Sequence, residues 1–368
     1  MEILFLNDED MVKAGVLDIG RCISSMEDTF KLLSAGDYRM GGPKANEHGI
    51  KVAFPDNPKF EGMPYNAPDR RFAAMPAYLG GRFHAFGVKT YGSNPQNRER
   101  SLPRSILMMQ LLDVETGEPR AYMSANKLSL MRTGSVVGIG ARYLKKDDCK
   151  TAAVIGPGAI GRCSLEAILH EANSIETIKV YGPNAVDVES FCLYFAGKYS
   201  SVEIRQCVSV NDACSDSDIV LFSNSNAANF DDNPKVNVNC IKPGSLIIST
   251  SSLITSNEYL SDTEKIKLVV DNYKMYEGWG EGKEYPTQRT VSSLFGMGIY
   301  DGVASGIITR DSVIDIGEII DGRKIARDNE NQVVFFAVGG MPTEDVAWAT
   351  DCYNRAKELG IGTNLLLW

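Results

Sequence analysis

Apolar residues recur at Ile19, Cys22, Ile23, Met26, Phe30 and Leu33, a helical spacing that Gly36 is placed to end. The preceding EILFL reads as a short strand. From about residue 40 to 80 the chain turns rich in Pro, Gly and Asn, predicting long loops between short strands. RFHAFGVKTYG and SILMMQLLDVETGEP then read as strands, the second closing in a turn at Glu115-Thr116-Gly117. Near residue 125 the texture changes. SANKLSLMRTGSVVGIGARYL is long enough for a helix, and beyond it strands and helices alternate strictly. TAAVIG, IETIKVYG, SVEIRQC, DIVLFSN, SLIIST and IKLVVD read as strands, with AIGRCSLEAILHEA and VDVESFCLYFAGKY as helices among them. Such alternation predicts an α/β fold with a doubly wound parallel sheet. TEDVAWATDCYNRAKELG closes the chain as a helix capped near Thr343 and ended by Gly360.

At 368 residues the chain exceeds one simple core and is expected to form two domains. Its 43% hydrophobic and 23% charged content fits a soluble globular protein, and no apolar run reaches the ~18 residues of a membrane span. MEILFLNDEDMV has an acidic flank and no basic region, which argues against a secretory signal. A net charge of -9 argues against nucleic acid as a partner. The eight cysteines form no C-x-x-C pair, so reduced thiols in the cytoplasm are expected. Three dispersed histidines, His48, His84 and His170, give no metal site.

The chemistry enters at VIGPGAIG. Gly156, Gly158 and Gly161 form G-x-G-x-x-G directly after an apolar strand and before a helix. The first glycine allows a tight turn, the second lets the backbone approach a pyrophosphate, and the third allows close helix packing. An ordinary strand–helix turn would explain the glycines alone; the surrounding alternation favours a dinucleotide. The next strand ends Val180-Tyr181-Gly182-Pro183-Asn184, without the carboxylate that usually binds the ribose hydroxyls. That leans toward NADP, although no arginine stands beside it, and Glu176 or Asp187 lying nearby would restore NAD.

GVKTYGSNPQNRERSLPRSILMMQLLDVETGEPRAYMSANKLSLMRTGSVVGIGARYL, leading into VIGPGAIG, resembles the ornithine cyclodeaminase/mu-crystallin family: a lysine-bearing strand, a D-x-x-T-G-x-P turn and an L-x-x-x-R-T helix before the glycine loop. GEIIDGRKIARDNENQVVFFAVGGMPTEDVAWA is similar to the family's closing pattern. Residues 272–300 match poorly and read as an insertion; within it, GWGEGKEYP with Trp279, Tyr285 and Tyr300 reads as a surface insertion or, less favoured, a substrate lid.

The resemblance implies a Rossmann-type domain over 131–334 and a second, α+β domain for substrate binding and dimerisation from 1–130 and 335–368. The active site would lie in a cleft between them, and a homodimer would form through the N-terminal sheet. It makes Lys89 and Arg132 the catalytic and substrate-binding pair, with Arg132 also touching the cofactor. Lys44 would be a further substrate cation, with Arg70 and Arg71 as rivals. The cofactor would contact Arg104 or Ser105, Gly156, Gly158, Ala159, Ile160, Gly161, Gly182, Asn184, Asn224 and Ser252. Read without the family, Lys89 and Arg132 are as easily a strand-edge lysine and a solvated helix arginine.

One position breaks the pattern. The family's cyclodeaminases use an aspartate after the fifth sheet strand, and Ser252 stands in its place here, with no Asp between Asn239 and Leu260. A lone serine is a poor base at neutral pH. The expected activity is therefore NAD(P)-dependent hydride transfer at an amino acid or its imine, as in an amino acid or opine-type dehydrogenase or a ketimine reductase. The competing readings are ornithine cyclodeaminase with Glu258 as substitute acid, a non-catalytic ligand-binding protein, and a Rossmann dehydrogenase of another family.

Overall fold

The structure, a computed structural model, describes residues 1–67, 70–227 and 229–368. The chain divides into two compact units, one of residues 1–18, 35–132 and 341–368, the other of 19–34 and 133–340. The helix Asn126–Leu144 begins in the first and ends in the second.

The first unit is built on an eight-stranded sheet of β1 (Glu2–Leu6), β2 (Tyr38–Met40), β3 (Ile50–Val52), β4 (Arg71–Leu79), β5 (Ala85–Ser93), β6 (Ser105–Leu112), β7 (Pro119–Ser124) and β16 (Thr363–Leu366). Its order is β16-β1-β7-β6-β5-β4-β2, with β3 also on β4, and β4 to β7 run antiparallel to one another. The helix Pro342–Leu359 packs on β4, β5 and β6. Met75, Ala77, Leu79, Met109, Leu111, Ala121 and Met123 are buried on that side, as the period of two demands when one face of a sheet is covered.

β4 is longer than the Pro-rich composition predicted. Pro76 interrupts the run, but it falls between the partners of β4: β3 pairs with 72–74 and β2 with 77–79. A residue without an N–H costs no ladder bond in that gap.

The second unit carries a fully parallel sheet: β8 (Thr151–Ile155), β9 (Thr177–Tyr181), β10 (Glu203–Gln206), β11 (Ile219–Phe222), β12 (Leu246–Ser249), β13 (Ile266–Val270), β14 (Val313–Asp315) and β15 (Val333–Ala337), ordered β10-β9-β8-β11-β12-β15-β13-β14. The central strands β11, β12 and β15 are buried at every position. The order reverses between β8 and β11, and the carboxyl ends there are where ligands bind in open sheets of this kind.

Two expectations are corrected and one holds in part. Residues 19–34, counted with the first domain, group with the second unit: Glu27 accepts from Arg142 Nη1 at 2.5 Å, and Arg142 also clamps Glu171 through two bonds of 2.8 and 2.9 Å. Within 272–300 the stretch GWGEGKEYP does lie at the surface, with residues 281–285 exposed, but its flanks do not. The segment forms the helices Tyr273–Gly280, Thr287–Thr290 and Phe295–Ala304, and buries Met275, Tyr276, Phe295 and Met297. Last, the 342–359 helix starts one residue before Thr343, on Pro342, whose fixed φ suits the first helical position, and Gly360 ends it at φ 64°. Among the described residues no helix is long and apolar enough to cross a membrane.

Candidate active site

Within the first unit the structure brings Lys89 and Arg132 together. Lys89 sits on β5 with its side chain on the covered face, 2% exposed, and Arg132 is 6% exposed near the 342–359 helix. An ammonium or guanidinium so buried requires a counter-charge. Glu344 and Asp345 supply it from the first turn of that helix, where the helix dipole favours negative charge. Lys89 Nζ donates to Asp345 Oδ2 at 2.5 Å and to Ser129 Oγ at 3.3 Å. Arg132 Nε donates to Asp345 Oδ1 at 3.0 Å, and its Nη1 to Glu344 Oε2 at 2.7 Å. Both carboxylates are fully buried. Two cations and two anions thus balance, and Arg132 Nη2 makes no hydrogen bond among the described residues.

Burial pushes the Lys89 ammonium down to about 8, with Asp345 opposing the shift and Arg132 adding to it. For Arg132 the pull of Asp345 and Glu344 outweighs burial, and its guanidinium is held above the ordinary range. His48, half-buried just before β3, is held well below the usual imidazole range, first by loss of hydration and then by the charges of Lys89, Arg132, Lys51 and Arg71. It is therefore neutral beside four cations.

The other expected substrate and cofactor residues of this unit are placed as follows. Lys44 is exposed in the turn between β2 and β3. Arg104 is half-buried just before β6, its carbonyl accepting from Asn94 N–H at 2.9 Å. Ser105 donates its hydroxyl to Ser93 Oγ at 2.9 Å. Lys51, which the sequence reading passed over, shares a ladder row with Ala73 and Tyr91, on the same face of the sheet as Lys89.

In the second unit the glycine turn follows β8 as expected. Gly156 has φ +98°, and a Cβ there would lie 2.5 Å from Asn224 N; at Gly161 it would lie 2.4 Å from Gly156 O. Both glycines are demanded by the fold. Gly158 differs, because a Cβ there would meet nothing within 4 Å. It precedes the helix Ala159–Glu171, and Ala159 and Ile160 are exposed beside it. The first intrahelical bond runs from Arg162 N–H to the Gly158 carbonyl at 2.9 Å, so the N–H groups of residues 159–161 come before the helix ladder begins. An open, donor-lined turn at a helix N-terminus fits a dinucleotide pyrophosphate.

The remaining residues ring the carboxyl edge. Gly182 follows β9 against Pro157, and Asn184 spends its side chain capping the helix Ala185–Lys198 at Val186 N–H, 2.9 Å away. Asn224 Oδ1 accepts from Ser251 Oγ at 2.7 Å. Ser252 is fully buried, and its hydroxyl lies 2.8 Å from Asn226 Oδ1 and 2.7 Å from Ser293 Oγ, donating to the first and accepting from the second. Neither of these partners of Ser252 is charged. Glu258 is exposed on the short helix Asn257–Leu260, and Glu176 precedes β9 at the edge opposite the glycine turn. The buried acid missed by sequence, Asp271 after β13, is fully engaged: it accepts from the N–H groups of Gly339, Gly340 and Asn272 and from the Tyr276 hydroxyl, at 2.7 to 2.9 Å. Among the described residues no three His, Cys, Asp or Glu could hold a metal ion.

Comparison with known proteins gives the following. The model of the ornithine cyclodeaminase/mu-crystallin family matches residues 18–360. The chain is 25% identical over 300 residues to N-((2S)-2-amino-2-carboxyethyl)-L-glutamate dehydrogenase of Staphylococcus aureus, covering 81% of this chain and 82% of that one. It is 26% identical over 369 residues to alanine dehydrogenase of Archaeoglobus fulgidus, covering 99% and 98%. Among solved structures, Delta(1)-pyrroline-2-carboxylate reductase of Thermococcus litoralis in complex with NADH and L-proline superposes with a TM-score of 0.77 at 25% identity, over 99% of this chain and 100% of that one.

Proposed function

The chain belongs to the ornithine cyclodeaminase/mu-crystallin family, and from that premise we propose that it is an NAD(P)-dependent oxidoreductase moving hydride between the nicotinamide and the α-carbon of an amino acid or its imine. The observation that carries the reading is the Lys89–Asp345–Arg132–Glu344 cluster: a lysine near 8 beside an arginine with an amino group to spare. Relatives named for alanine, a pyrroline carboxylate and an aminocarboxyethyl glutamate support the substrate class.

Arg132 Nη2 receives the α-carboxylate, and planar guanidinium geometry fixes its orientation. Lys89 exchanges a proton with the substrate nitrogen, giving it in reduction and taking it in oxidation, for which a value near the working pH is suited. Lys44 is retained as an outer substrate cation. The dinucleotide supplies or accepts the hydride. Gly158, Ala159, Ile160 and Gly161 hold its pyrophosphate, with Gly156 shaping the turn and Gly182, Asn184, Asn224, Ser252, Arg104 or Ser105 and Arg132 contributing contacts. The absence of a carboxylate at the end of β9 favours NADP slightly.

Ser252, neutral and hydrogen-bonded internally, favours hydride transfer over ammonia elimination. The exposed face of the first sheet presents Phe72, Phe86, Val88, Ile106, Met108 and Tyr122, which suits a homodimer interface. The cysteines, none paired with another in a disulfide among the described residues, suit the cytoplasm.

The test is a spectroscopic screen of purified protein with NAD or NADP and a panel of amino acids including ornithine, following reduced cofactor and free ammonia together. Net cofactor reduction is expected. Ammonia from ornithine without net reduction would establish the cyclodeaminase instead, while binding of amino acids without either change would leave a ligand-binding protein.

A further inference from the structure

In the second unit, two asparagines after β11 are held in parallel by two serines after β12. Ser251 Oγ donates to Asn224 Oδ1 at 2.7 Å, and Ser252 Oγ donates to Asn226 Oδ1 at 2.8 Å. Both serines are buried, Ser252 completely. Ser252 in turn accepts from Ser293 Oγ at 2.7 Å, and Gln288 Nε2 braces that corner by donating to the carbonyls of Leu253 and Ser293 at 3.3 and 3.4 Å. Ser293 and Gln288 both belong to the stretch 272–300, where the family pattern is weakest. The serine standing in the aspartate's place therefore acts without charge, by setting the amide of Asn226.

A planar amide fixed through its oxygen is also fixed in the direction of its nitrogen. Asn226 is exposed and its Oδ1 turns inward to a buried hydroxyl, so its NH2, with two N–H donors, faces the carboxyl edge. Its place along a dinucleotide follows from the glycine turn. Ser223 Oγ donates to the Gly156 carbonyl at 2.8 Å, and Asn224 N lies so close to Gly156 that a Cβ there would be 2.5 Å from it. Asn226 stands two residues beyond that contact, a span of at most about 7 Å. With strands in the order β9-β8-β11-β12, the adenosine half of a dinucleotide lies toward β9, where the ribose-binding acid ordinarily stands. The nicotinamide half crosses to the side of β11 and β12, which is the side of Asn226. The nicotinamide carries a carboxamide, whose oxygen needs a donor.

We propose that Asn226 is a cofactor-binding residue whose NH2 donates to the carboxamide oxygen of the nicotinamide, and that Ser252 and Ser293 are positioning residues that act through it. This rests on the hydride-transfer reading above. The bond fixes the rotation of the nicotinamide ring, and with it the face that is turned toward the substrate. Asn226 takes no part in moving the proton or the hydride; it holds the ring in one pose.

The experiment reads binding rather than turnover. Calorimetric titration of the whole protein compares NAD or NADP, whichever binds more tightly, with ADP-ribose or its 2′-phosphate, which lack the nicotinamide. Asn226→Ala is expected to weaken the dinucleotide about tenfold, as loss of one hydrogen bond would, and to leave the ADP-ribose compound within about twofold. Ser252→Ala should give the same selective loss at about threefold, since the amide is then less firmly held. Unchanged ADP-ribose binding reports that each variant is folded. The analogue with an acetyl group in place of the carboxamide keeps the oxygen and lacks the NH2, and the wild-type protein should bind it about as tightly as the parent dinucleotide. Equal weakening of dinucleotide and ADP-ribose, or no weakening of either, overturns the assignment of Asn226. So does wild-type binding of the acetyl analogue about tenfold weaker than the parent. Those outcomes leave the oxidoreductase standing as long as amino acids reduce the cofactor. Selective loss in Asn226→Ala without cofactor reduction by any amino acid would do the reverse, and a wild-type protein that binds no dinucleotide would overturn both.

Discussion

In the first unit, four formal charges meet within hydrogen-bonding distance on a buried sheet face; along the carboxyl edge of the second, Ser251, Ser252, Ser293, Asn224 and Asn226 bond to one another with no charge among them. The first arrangement costs desolvation that only mutual pairing offsets, and it leaves one lysine poised near neutrality. The second costs little and titrates nowhere near working pH. On the proposed reading, proton exchange falls to Lys89, while the glycine turn offers the cofactor shape and backbone donors. A reaction that needs one mobile proton and one hydride is served by that division.

The largest expected break comes from Asp345→Asn, which leaves Lys89 and Arg132 sharing one carboxylate. Loss of one partner in a buried cluster costs about 3–5 kcal/mol, and urea unfolding should show it, together with loss of turnover. Next is the glycine turn, where fold and ligand are separable. Gly158→Asp should keep its melting temperature, since the position faces open space, and lose about 100-fold in cofactor affinity, roughly 2.7 kcal/mol, in a fluorescence titration. Gly161→Ala should do the opposite, melting early because its Cβ would press on the Gly156 carbonyl.

A smaller effect, and a sharper one, is in pH. Lys89 loses its proton as pH rises through about 8, so reductive kcat/KM should fall above that point by about tenfold per unit. The oxidative direction, which needs the neutral amine, should rise and level off over the same range. Coincident limbs in both directions would remove Lys89 from the proton's path. Smallest is Ser252→Ala, expected to cost about 1 kcal/mol of stability and to leave turnover within a few-fold.

The long periodic elements were legible in the sequence. The helix at Ile19–Ala35, the strands β5 and β6, and the parallel alternation from β8 to β13 follow from spacing alone. So did the glycine turn, since its two packing glycines and one open glycine sit in a local motif. What stayed hidden depends on distant pairing. Asp345 and Lys89 lie 256 residues apart, and no local pattern marks a carboxylate in a helix's first turn as a counter-ion. Lys51 was missed because a three-residue strand has too little sequence to reveal its register. The burial of Met275, Tyr276, Phe295 and Met297 was not legible, because these apolar positions are spread over separate short helices on either side of an exposed stretch.

The empty space over Gly158 bears on ancestry. Selection for a folded chain alone would guard Gly156 and Gly161, because any side chain there strikes backbone. It would be blind to position 158, where a side chain meets nothing. A lineage that gave up its cofactor and kept only the scaffold would let that one position drift first, so among descendants of such a fold the middle glycine is the witness of a dinucleotide still in use.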